Sequence, residues 1–143
     1  MMLKHVHDVD VEDEYIRVTK NETIEEIAKK FETSQVCDPE HHDQVCSPIL
    51  TAYVIEKGVL IGIINKDDII VEVIMNGKDP KKIKAGDIMR EPICCSINQT
   101  IQEAINLIID KGVLTVAVVD GKKLVGVISV YDAIFLYHEM DDI

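Results

Sequence analysis

The sequence predicts a mixed α/β chain of the α+β type: two βαββα repeats packed about a pseudo-twofold axis. Three observations carry that prediction. Asn21-Glu22-Thr23-Ile24 recurs as Asn98-Gln99-Thr100-Ile101, and Ile24, Ile27, Ala28 and Phe31 map onto Ile101, Ala104, Ile105 and Ile108 with one shift of 77 residues. Farther along, Thr51, Val54, Leu60, Gly62 and Asp68 map onto Thr115, Val118, Leu124, Gly126 and Asp132 with a shift of 64. Finally, 143 residues with 47% hydrophobic content suffice for a substantial core, whereas a unit of roughly 60 residues buries too little surface to be comfortable alone.

The elements follow in order. Residues 1–14 form an N-terminal lead-in segment, 15–76 the first repeat, 77–91 a linker and 92–140 the second repeat. Each repeat opens with a short strand, Tyr15 to Thr19 and Ile93 to Ser96. A helix follows from Thr23 to about Thr33 and from Thr100 to about Lys111, its apolar residues recurring at i, i+3, i+4 and i+7 on one buried face. The drop in shift from 77 to 64 makes the first repeat 13 residues longer, and places an inserted loop, 36–47, between about Gln35 and Pro48. Two strands come next, Leu50 to Ile55 with Val59 to Ile64, and Thr115 to Val119 with Lys123 to Ile128. Tight turns at Glu56-Lys57-Gly58 and Asp120-Gly121-Lys122 join them. A last helix, about Lys66 to Met75 and about Val130 to Glu139, closes each unit. In the linker, Gly77 and Pro80 stop a helix, and Asp87 is placed to cap a short turn into Ile88-Met89.

Composition excludes several functions. Fifteen basic against 26 acidic side chains give a net charge of −11 with no basic run, which argues against nucleic acid and anionic membrane as partners. Four Tyr, two Phe and no Trp leave little to stack on single-stranded bases. The apolar runs are broken well before the ~18 residues of a spanning helix, and no signal-peptide core opens the chain, so the expected location is cytoplasmic. Cys37, Cys46, Cys94 and Cys95 are too few for a disulfide framework, and adjacent strand cysteines point to opposite faces; reduced thiols are expected. The last helices, with Ile69, Ile70, Val71, Val73 and Ile74 and with Ala133, Ile134, Phe135, Leu136 and Tyr137, are apolar nearly all round. A helix of that kind is covered on every side; a homodimer supplies the second cover most simply, and the other repeat is the alternative cover.

These residues carry a resemblance along nearly the whole chain. The stretch EPICCSINQTIQEAINLIIDKGVLTVAVVDGKKLVGVISVYDAI resembles the CBS domain, with its Pro-Val strand, its Asp-x-Thr-Leu-x-Glu-Ala helix start and its Gly-hydrophobic-hydrophobic-Ser/Thr-x-x-Asp ending. IKAGDIMREPI is similar to the family's Val-x-Asp-Ile-Met segment, and NKDDIIVEVIMNGKDP resembles the end of the first repeat in short stand-alone prokaryotic CBS pairs, or Bateman modules. Ala117 stands where the family often has Pro, and Asn65 replaces its usual Ser or Thr. The resemblance implies a disc-like homodimer that regulates an effector protein. It also implies an adenosyl ligand (AMP, ADP, ATP, S-adenosylmethionine or methylthioadenosine) in the clefts between repeats, with no required cofactor and no catalysis. No nucleophile-base pair or phosphate-cradling glycine loop points to an enzyme.

Ser129 and Asp132 sit where a strand turns into a helix. An ionised Asp accepts two bonds from adjacent ribose hydroxyls, and a Ser hydroxyl beside helix amides suits a phosphate; the resemblance assigns these roles. The same spacing also reads as a capping box. The first-repeat set is Asn65, Lys66 and Asp68, where Asn caps as well as Ser does. By position, the resemblance gives an adenine slot to Val9 and Val11, to Ala85 and Ile88, and to Ile97 and Val116, each of which reads equally as ordinary core. Val130 and Tyr131 bring no base to the Ser129 site, so a weakly charged adenosyl compound is expected there in preference to ATP. The inserted loop holds Cys37, His41, His42 and Cys46, a donor set able to take zinc or another transition metal, although Cys-x3-His-His-x3-Cys is not a common structural zinc spacing. A Cys37–Cys46 disulfide and a solvated polar loop are the other readings. Three functions therefore stand: an adenosyl-sensing module, a ligand-free dimeric scaffold, and a metal-responsive sensor.

Overall fold

The computed structural model describes residues 5–6, 15–37, 46–130 and 134. The chain divides into two units, one of Glu14–Glu91 and one of Met1–Asp13 with Pro92–Ile143.

In the first-repeat unit the order is β1 (Ile16–Val18), α1 (Ile24–Thr33), β2 (Gln35–Cys37), β3 (Cys46–Pro48), β4 (Thr51–Glu56), β5 (Val59–Asn65), α2 (Lys66–Ile69), which continues as π-helix over Ile70–Ile74, and α3 (Ala85–Ile88). β4 is the centre of a three-stranded sheet, parallel to β1 and antiparallel to β5. Thr51, Ala52, Tyr53 and Val54 are all buried, as a strand covered on both faces requires. Thr23 caps α1: its Oγ1 accepts from Glu26 N–H at 3.2 Å, and the Glu26 carboxylate returns to Thr23 N–H at 3.4 Å. Ile24, Ile27 and Phe31 then face the sheet. Ala28 is exposed, although its spacing placed it on the buried face. A lone methyl at the edge of the stripe does not reach the core, whereas the longer Ile105 at the matching position does.

The other unit repeats the plan with β6 (Cys94–Ser96), α4 (Ile101–Lys111), β7 (Thr115–Asp120) and β8 (Lys123–Ser129). Thr100 Oγ1 accepts from Glu103 N–H at 3.2 Å, and Gly112 ends α4 in the left-handed region with φ 62°. Both hairpins carry a register irregularity at the same place, between Val54 and Ile55 and between Val118 and Val119. Their turns differ in kind. Lys57 and Gly58 both have positive φ, as a type I′ turn needs, whereas in the second turn Gly121 alone does, as in type II′. As expected, Cys94 is exposed and Cys95 buried.

Three features depart from the sequence reading. The ends of the insertion pair as an antiparallel ladder, Gln35 with Pro48 and Cys37 with Cys46, so a strand pair replaces the two ends of the expected loop. The expected α-helix from Lys66 to Met75 turns π-helical after one turn, with Met75 N–H donating to Ile70 O at 2.8 Å. The segments that lead into each repeat also pack on the other one's helix start. The linker joins the first-repeat unit, where Ile24 N–H donates to Ile83 O at 2.9 Å and Ala85 N–H to Glu22 O at 2.9 Å. In the second-repeat unit the lead-in segment places a fully buried Val6 in the core, its N–H donating to Gln99 O at 2.8 Å.

Candidate ligand site at the strand-to-helix junctions

The sheet ladder brings Thr51 opposite Asn65 at the end of β5, and Thr115 opposite Ser129 at the end of β8. The first turn beyond each strand is held alike: Lys66 N–H donates to Leu50 O at 3.0 Å, and Val130 N–H to Leu114 O at 2.8 Å. The two junctions therefore share one backbone and differ in side chains.

At the first junction, Thr51 Oγ1 donates to Asn65 Oδ1 at 2.9 Å. Asn65 N–H donates to Asp68 Oδ2 at 2.8 Å, which is the return half of a capping box. The same oxygen accepts from Arg90 Nη2 at 3.1 Å, and the Asp68 side chain is 14% exposed. Both bonds fall on Oδ2, and among the described residues no hydrogen bond goes to Oδ1, a second acceptor of the carboxylate that a ligand hydroxyl can use. Lys66 Nζ lies 5.4 Å from the centre of the Phe31 ring.

Arg90 reaches Asp68 because its backbone is pinned. Ile63 and Arg90 exchange two backbone hydrogen bonds, each 2.9 Å. Beside them Met89 lies directly over Gly62, so close that a Cβ there would fall 2.6 Å from Met89 Sδ and 2.9 Å from Met89 Cβ. The glycine of the repeated motif thus admits the linker to the edge of β5. Arg90 is the functional candidate that the sequence reading missed. It lies 22 residues from Asp68, and no local pattern announces such a pairing.

A family model for the CBS domain matches residues 6–74 and 85–139. The chain belongs to the CBS-domain family. An uncharacterized protein of Methanopyrus kandleri is 37% identical over 79 residues, 54% of this chain and 40% of that protein, so the match spans less than half of that relative. Among solved structures, an uncharacterized conserved protein from Pyrococcus horikoshii superposes with TM-score 0.72 at 18% identity, over 96% of this chain and 94% of its own. The cytosolic domain of the Mg2+ channel MgtE in complex with ATP superposes with TM-score 0.70 at 23% identity, over 88% of this chain and 46% of its own. These two likenesses establish the fold.

Within the CBS pair, Ser129 is buried at the end of β8, while Asp132 lies outside the described residues. Ala85 and Ile88 are buried in the core of the unit that holds Asn65, Lys66 and Asp68. Ile97 and Val116 belong to the core of the unit that holds Ser129, Val116 fully buried and Ile97 partly so. Val9 and Val11 lie outside the described residues, as do His41 and His42. Cys37 and Cys46 face each other in the ladder register, and among the described residues no three metal-ligating side chains cluster. No described helix is long and apolar enough to cross a membrane.

Proposed function

We propose that this CBS pair is a cytoplasmic regulatory module that binds an adenosyl compound (AMP, ADP, ATP, S-adenosylmethionine or methylthioadenosine) at its strand-to-helix junctions. The ligand shifts the pair, as a homodimer, between states that an effector protein reads. The observation that carries this reading is Asp68, a carboxylate held by its own turn and by Arg90 with one oxygen left to accept from a ribose hydroxyl. Asp132 has the corresponding role at the second junction, where Val130 in place of Lys66 favours a weakly charged ligand such as S-adenosylmethionine, methylthioadenosine or AMP. The ATP complex of the MgtE domain supports an adenine nucleotide as the ligand class. Homodimerisation is supported by Ile70, Val71, Ile74 and Met75, an exposed apolar run beyond the buried Ile69 and Val73.

The test is a thermal-shift panel on metal-stripped protein with these adenosyl compounds, NADH and zinc, repeated with Asp68→Ala and Asp132→Ala. A ligand that binds the native state raises the melting temperature. A nucleotide shift that either substitution reduces and the two together abolish supports the reading. Zinc alone raising it, with loss on Cys37→Ser, replaces the adenosyl sensor by a metal sensor built on the insertion. A flat panel with a tight dimer leaves a scaffold.

A further inference from the structure

We infer that Arg90 sets the ligand class of the first junction: it is a parked counter-ion that makes this site select an adenosyl compound carrying a phosphate close to its ribose, over the neutral nucleoside. The inference rests on the proposed binding role of Asp68 and adds to it a residue and a chemical preference.

Four observations lead there. The main chain of Arg90 is fixed by the paired bonds to Ile63 and by the seat of Met89 on Gly62, so the guanidinium always starts from the same point beside the junction. Its side chain is 59% exposed and holds Asp68 through one contact, Nη2 to Oδ2 at 3.1 Å. A single-contact ion pair open to water contributes little to stability, and it leaves most of the five N–H donors of the guanidinium without a protein partner among the described residues. The group is thus available rather than structural. The chain's other arginine is engaged elsewhere: Arg17 donates to Tyr15 Oη at 2.9 Å and lies 5.5 Å from the centre of that ring. Arg90 is therefore the guanidinium that serves this junction.

The charge balance gives the preference its sign. Asp68 on its own repels a phosphate, in a chain that already carries −11. With Arg90 beside it, a nucleoside monophosphate is complemented at both ends: the ribose hydroxyls donate to the free Oδ1 of Asp68, and the phosphate oxygens accept from the guanidinium fork. A neutral adenosyl compound gains only the first of these. The second junction has Val130 at the position of Lys66, so its helix start brings no basic residue of its own.

The experiment is calorimetric titration of adenosine and AMP into the full chain in the Asp132→Ala background, which reads the first junction alone. It is repeated after adding Arg90→Ala or Arg90→Lys, with melting curves confirming that each variant folds. AMP binding about tenfold tighter than adenosine is expected, as a charge-assisted phosphate contact gives. Arg90→Ala removes that ratio and leaves adenosine within about twofold, while Arg90→Lys keeps part of it. An AMP-to-adenosine ratio unchanged by Arg90→Ala, or an equal loss for both ligands, overturns the inference and leaves the binding site standing. AMP binding that survives Asp68→Ala puts the ligand elsewhere and overturns it too. Failure of both ligands to bind the parent chain removes the adenosyl reading at this junction, and the role of Arg90 with it.

Discussion

Gly62→Ala tests whether the linker is truly seated on β5. The added Cβ would stand 2.6 Å from Met89 Sδ and 2.9 Å from both its Cβ and Cγ, well inside ordinary contact. The thioether end can rotate away, but the Cβ is tied to a backbone that continues into the Ile63–Arg90 bridge. Over-packing of this kind costs about 1–3 kcal/mol. Gly62 has no positive φ, so alanine fits the local backbone and recovers about 0.4–1 kcal/mol by restricting the unfolded chain. The balance is a loss of about 1–2 kcal/mol, or about 3–8 °C in melting temperature for a chain of this length. Urea unfolding of the wild type, Gly62→Ala, Met89→Ala and the double variant reads the coupling directly. Met89→Ala removes the clashing atoms beyond Cβ, so the double variant loses less than the two single losses added together. A Gly62→Ala variant as stable as wild type, or strictly additive losses, would refute the close seat of Met89 on β5.

Three further predictions concern the cysteines and the apolar helix. At pH 8 a maleimide labels Cys94, which is exposed, and spares Cys95, whose thiol burial and the neighbouring Cys94 push up to about 11; peptide mapping that finds the two equally labelled in native protein would contradict this. Because the folded protein holds the Cys95 proton more tightly than the unfolded chain, this thiol's stabilising contribution is complete below about pH 9 and is lost as pH rises toward 11, by up to about 1.4 kcal/mol per pH unit. Denaturant midpoints at pH 8, 9 and 10 should therefore fall more steeply for wild type than for Cys95→Val. Ile74→Asp, on the exposed run of the π-helical segment, should weaken a homodimer about a hundredfold, since losing an isoleucine from each copy removes about 3 kcal/mol of burial. A dimer mass by light scattering unchanged at low micromolar concentration would place the interface elsewhere.

How much was legible follows from the range of the forces involved. The helices α1 and α4 were readable because a Thr cap, a Glu three residues later and a 3.6-residue apolar period lie within a dozen consecutive positions. The hairpins were readable because Lys57-Gly58 and Gly121-Lys122 announce their own turns. The π-helical segment was not, because a residue run apolar on every side gives no period from which a change of winding can be seen. The crossing of the lead-in segments was hidden for another reason: it rests on main-chain bonds such as Ile24 to Ile83 and Val6 to Gln99, which any side chain permits.

The first junction shows where the two kinds of information meet. Asn65 and Asp68 belong to a motif of seven consecutive residues, Gly62 to Asp68, and were readable as a cap, a binding pair or both, and their bonds show the return half of the cap in place on Oδ2 of Asp68. Arg90 enters only through the fold. The motif's own Gly62 clears room for Met89, Met89 carries the chain to its bridge with Ile63, and that bridge sets a guanidinium beside the carboxylate. The glycine that marks the end of the repeat in sequence is thus the residue that gives the linker its place, and through the linker it sets a guanidinium beside Asp68.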